Sequence, residues 1–78
     1  MSVVDDLTRK LRLSQTASKD AAKKWAKRTR ALAEAVMKWD QAGATAAKEL
    51  FPADFVPTRY RSDGPSTETL VEAIENLQ

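Results

Sequence analysis

The sequence predicts an all-α protein, a small bundle or helical hairpin of about three helices. Three observations carry that expectation. Apolar residues recur at three- and four-residue spacing in several segments, a Ser stands before each of them, and all three prolines fall in the single stretch 52–65.

Ser2 with Asp5 three residues on has the form of a capping box, and Val4, Leu7 and Leu11 then share one helical face. A first helix over about 3–13 follows, with Asp5 and Asp6 in its opening turn and Arg9, Lys10 and Arg12 toward its end, as the helix dipole favours. Residues 14–20 contain no large apolar side chain, yet neither Gly nor Pro forces a stop. A break with Ser14, Thr16 or Ser18 as cap is the favoured reading. Beyond it Ala21, Ala22, Trp25, Thr29, Leu32, Val36, Trp39 and Gly43 recur at helical spacing and predict a long amphipathic central helix over about 18–43. At about 100° per residue, Leu32, Val36 and Trp39 lie within about 40° of Trp25, and Lys19, Lys23, Lys27, Arg30, Glu34 and Lys38 lie opposite.

Gly43 sits in a run of low bulk, Ala42 to Ala47, and predicts a kink or short break there, or a close approach of another helix. Helical character resumes to about residue 51 and stops at Pro52, because the residue before a proline is pushed out of the α region. Residues 52–65 form a loop in which Phe55, Val56 and Tyr60 are apolar anchors that pin it across the helices. Ser66 caps a last helix over about 66–77, with Leu70, Val71, Ile74 and Leu77 as its seam and Glu68, Glu72 and Glu75 as an acidic face. Residues 1–78 read as one small helical domain.

Thirteen of the apolar residues are Ala and only five residues are aromatic, so the core is thin. For a chain this small a partner protein, or a second copy of itself in a homo-oligomer, is the expected support. The composition also excludes chemistry. Without Cys or His the chain has no thiol nucleophile, no imidazole base and no ordinary structural zinc site. With two glycines it cannot build a GxGxxG or Walker A cradle, and neither Asp5-Asp6 nor the Glu68, Glu72, Glu75 set resembles a calcium loop. The expectation is no enzyme, no catalytic or metal-ligating residue, no cofactor and no small-molecule substrate. The longest uncharged stretch is too short and too polar to span a bilayer, and the first residues lack a basic segment followed by an apolar run. No membrane association and a cytoplasmic location are expected.

Charge is polarised along the chain. Residues 19–38 hold seven basic and two acidic side chains, whereas residues 39–78 hold three basic and seven acidic. The stripe Lys19, Lys23, Lys24, Lys27, Arg28 and Arg30 reads as a solvated outer face or as a phosphate-binding surface for nucleic acid, extended by Arg59 and Arg61. A helix-turn-helix is not the route, because the small residue and turn glycine of that motif fall on Lys19 and Lys23. Whether Glu68, Glu72 and Glu75 fold back over the stripe decides whether it is open. Trp25 and Trp39 could stack on bases, but they share their face with Leu32 and Val36, which suits a core or a helix docked on another protein. Arg59-Tyr60-Arg61 places two guanidinium groups around an aromatic ring, a pattern suited to phosphate or carboxylate as well as to an ordinary surface loop.

The leading expectation is a non-enzymatic interaction module, an adaptor, regulator or inhibitor. It would self-associate, as a dimer for example, or bind a partner protein through Trp25, Leu32, Val36 and Trp39 or through Phe55 and Tyr60. The alternative is nucleic-acid binding, DNA included, through the basic stripe.

Overall fold

The computed structural model describes residues 2–77. Among them, four α-helices make up the bundle: α1 (Val3–Leu11), α2 (Lys19–Ala35), α3 (Trp39–Leu50) and α4 (Thr67–Glu75), with a 3₁₀ turn at Pro57–Arg59. The described residues include no strand, so the all-α bundle expected from the periodicity is the fold. Three of the helices start on a serine cap. Ser2 Oγ accepts the Asp5 N–H at 3.1 Å, Ser18 Oγ the Ala21 N–H at 3.1 Å and Ser66 Oγ the Thr69 N–H at 3.2 Å, each satisfying one of the backbone donors that a helix start leaves without a partner. α1 ends on a Schellman-type turn in which Leu13 N–H reaches back to Thr8 O at 3.1 Å, and Arg12 occupies the left-handed position at φ 53°.

The long helix expected over 18–43 is two helices. Nothing in the sequence marks the break: Val36 and Met37 both donate to Leu32 O at 3.0 Å, and Lys38 turns extended before Trp39 without a side-chain cap. The cause is tertiary. An unbroken helix over 19–50 would run about 48 Å at 1.5 Å per residue, far beyond the 29 Å long axis of the molecule, and would carry Ala42, Ala46 and Ala47 away from the Trp25 face. Folding back instead buries those alanines against α2. The kink expected at Gly43 is absent for the same reason. α3 runs straight through that residue, and Gly43 serves the other role open to it, close approach.

α2 packs on α3 and α4, and α1 closes the bundle chiefly against α4. The core is Leu7, Leu11, Ala22, Trp25, Ala26, Ala46, Ala47, Phe55, Leu70, Val71 and Ile74. Gly43 lies where α2, α4 and the proline-rich loop meet, and its carbonyl accepts the Trp25 indole N–H at 2.9 Å. The loop is anchored at several points. Asp54 carboxylate accepts the Ser14 N–H at 3.0 and 3.1 Å and its hydroxyl at 2.8 Å, Phe55 is buried, and Arg61 N–H donates to Lys10 O at 3.0 Å. Tyr60 hydroxyl donates to Thr67 Oγ1, which donates in turn to the Asp40 carboxylate at 2.7 Å, tying the loop to α4 and α3.

Candidate interaction surfaces

The apolar face of α2 divides between interior and exterior. Trp25 is fully buried, so its ring serves the core. Leu32, two turns further on at about 3.6 residues per turn, has left the core and is half-buried. Val36, beyond the last turn of α2, is 84 % exposed. Met37, whose place in the pattern the periodicity did not single out, sits half-buried next to it. None of Leu32, Val36 and Met37 joins the core cluster. Trp39 does pack against that cluster, but remains half-buried, with the Arg30 guanidinium carbon 5.6 Å from its ring centroid. An apolar corner between α2 and α3 results, flanked in the chain by the exposed residues Glu34 and Lys38.

The other predicted contact residues lie elsewhere. Phe55 is 5 % exposed and meets Tyr60 edge-on at 6.3 Å and 84°, so it stabilises the loop from inside. Tyr60 is half-buried; burial and the nearby Asp40 charge push its phenol up to about 12 against the opposing pull of its Thr67 hydrogen bond.

The basic stripe is only partly open. Glu75 of α4 takes Arg30 in a two-pronged pair at 2.7 and 2.8 Å, and Glu49 of α3 takes Arg28 at 2.9 and 3.2 Å. These hydrogen bonds hold both glutamates below the usual carboxylate range. Lys23 donates its ammonium to Leu77 O just past the end of α4. Lys19, Lys24 and Lys27 are exposed and engage no carboxylate among the described residues. Arg59 is exposed near Asp54, and Arg61 pairs with Asp63 at 2.6 Å. Of the acidic helix, then, it is Glu75 that folds back onto the stripe, assisted by a glutamate of α3 that the sequence pattern did not place there.

A third feature lies beside α1. A cavity of about 280 Å³ opens between Asp6, Arg9 and Lys10 of α1 and the 61–65 loop. Lys10 is 3 % exposed there, its ammonium donating to Pro65 O at 2.8 Å and Asp63 O at 3.3 Å. Its burial was not legible in the helical pattern, which puts it among the basic residues of a helix end.

No helix among the described residues is long and apolar enough to cross a membrane. Neither a family model, nor a curated protein, nor a solved structure matches this chain.

Proposed function

We propose that the chain is a non-enzymatic protein-interaction module of the cytoplasm, an adaptor, regulator or inhibitor that docks through the corner between α2 and α3. One observation carries the reading. Val36 stands 84 % exposed beside the half-buried Leu32 and Met37, and these residues add nothing to the core of a protein that has few large apolar side chains to spare. The exposed charged residues Glu34 and Lys38 flank Val36 in the chain, in keeping with an apolar contact centre that has a polar rim. Partial neutralisation of the basic stripe by Glu49 and Glu75 removes two guanidinium groups from a competing phosphate surface.

The test is a photo-crosslinking residue at position 36, with position 31 on the outward face of α2 as control, in cells that make the protein. Protein adducts at 36 and none at 31 are expected; equal adducts at both, or none at either, overturn the proposal. The nucleic-acid reading keeps one supporting observation, the exposed Lys19, Lys24 and Lys27, which engage no carboxylate among the described residues. For three phosphates neutralised it requires a slope of log K on log salt near −2.7, about −0.9 per phosphate. Anisotropy of labelled duplex DNA that stays flat at low salt eliminates it.

A further inference from the structure

We propose that the cavity between α1 and the 61–65 loop is a binding site for a tetrahedral oxyanion of the phosphate class, independent of the corner between α2 and α3. The argument starts from Lys10. A buried ammonium is ordinarily matched by a carboxylate, because removing a charge from water is costly unless a counter-charge replaces the lost hydration. Lys10 is 3 % exposed and has no ion pair among the described residues. It is held by two carbonyl oxygens of the loop and by the face of Tyr60, whose ring centroid lies 5.6 Å away. These partners orient the ammonium and leave its charge uncancelled.

The walls of the cavity supply further donors. Arg61, on the loop side, binds Asp63 through Nε and Nη2, and its Nη1 edge has no acceptor among the described residues. Arg9 lines the α1 side, paired with Asp6. Gly64 sits at φ 77° with nothing within 4 Å of the place where a Cβ would stand, so the loop backbone faces open space. Among the described lining residues, three cations face two carboxylates around a cavity of about 280 Å³. The donors stand on two walls, helix and loop. A tetrahedral oxyanion presents oxygens toward both at once, whereas the two oxygens of a carboxylate lie in one plane, and a dianion competes better than a monoanion against the resident aspartates for the guanidinium groups. Asp63 at the rim weakens any anion, so its removal tightens binding.

The experiment is an amide-resolved NMR titration of the full chain with inorganic phosphate at constant ionic strength, with acetate as a parallel arm. Saturable shifts at Lys10, Arg61 and Gly64 are expected, weakened roughly tenfold in Arg61→Gln, the loss of one charge-assisted contact. Asp63→Asn is expected to tighten binding, and Lys24→Gln on α2 to leave it unchanged. Arg61 is exposed enough that its variant keeps the fold, with the unperturbed amides as the check. Shifts that fail to saturate, that persist in Arg61→Gln or that vanish in Lys24→Gln overturn the site. Acetate saturating as tightly as phosphate overturns the phosphate assignment.

Discussion

Gly43→Ala should destabilise this protein even though it replaces a poor helix former with the best one. In an exposed helix interior the exchange gains about 1 kcal/mol. Here a Cβ at position 43 would stand 2.5 Å from the Tyr60 hydroxyl, 2.9 Å from Thr67 Cγ2 and 3.3 Å from Trp25 Cζ2, atoms of three different parts of the fold. The first two are closer than real Cβ contacts allow, so α3 must move out or Tyr60 must leave its place. Overpacking of this kind costs about 1–3 kcal/mol. An outward shift of α3 also stretches the 2.9 Å bond from the Trp25 indole to Gly43 O, and a buried donor left alone costs about 1–3 kcal/mol more. Against the propensity gain, a net loss of about 3 kcal/mol results, or roughly 12–24 °C in Tm for a domain this small. Urea denaturation followed by tryptophan fluorescence reads it directly. Tyr60→Phe removes the nearest atom, so combined with Gly43→Ala it should recover about 1 kcal/mol relative to its effect in the native chain. Gly64→Ala is the control: that position has open space and a positive φ, so its backbone penalty should not respond to Tyr60→Phe. A Gly43→Ala protein as stable as the parent, or more stable, would refute the close-approach argument.

Three further outcomes follow from single residues. Thr29 is fully buried and its hydroxyl oxygen has no hydrogen-bond partner among the described residues, so the near-isosteric Thr29→Val should gain about 1 kcal/mol in urea melts, and a loss would reveal an unseen partner. Arg12→Gly should gain about 0.5–1 kcal/mol by relieving the left-handed backbone at the end of α1; unchanged stability would show that the Arg12 side chain offsets the strain. Tyr60 is the only tyrosine, so absorbance at the phenolate band reports it alone, and the native midpoint should lie near 12. Because this pKa is raised on folding, its stabilisation is fully present below the ordinary phenol value of about 10 and is lost as pH climbs through the native value, so stability should fall over that window. Equal slopes for the parent and Tyr60→Phe in alkaline melts would contradict this.

The helical fold was legible because its signals are local. Ser2, Ser18 and Ser66 cap helices by hydrogen bonds that span three residues, and the seam Leu70, Val71 and Ile74 is written in the 3.6-residue period. The same period misplaced the end of α2. Val36 continues the Trp25 stripe as faithfully as Leu32 does, yet the chain turns there and exposes it, because a compact core needs α3 folded back. Spacing alone cannot distinguish a stripe that is covered from one that runs past its cover.

Charge behaved likewise. The sequence by itself determined the helix faces, the proline-rich irregular segment, the lack of any Cys or His side chain and the polarity that puts seven basic side chains in residues 19–38. Only the tertiary structure decided which of those cations meet a carboxylate: Arg28 finds Glu49, Arg30 finds Glu75, and Lys24 and Lys27 find none among the described residues. It also decided that Lys10 is buried beside a cavity and that Gly43 is a contact point. Periodicity and capping are interactions between near neighbours, which a sequence states outright. Pairing, enclosure and close approach join residues 21, 45, 53 and more positions apart, and arise only once the chain has closed on itself.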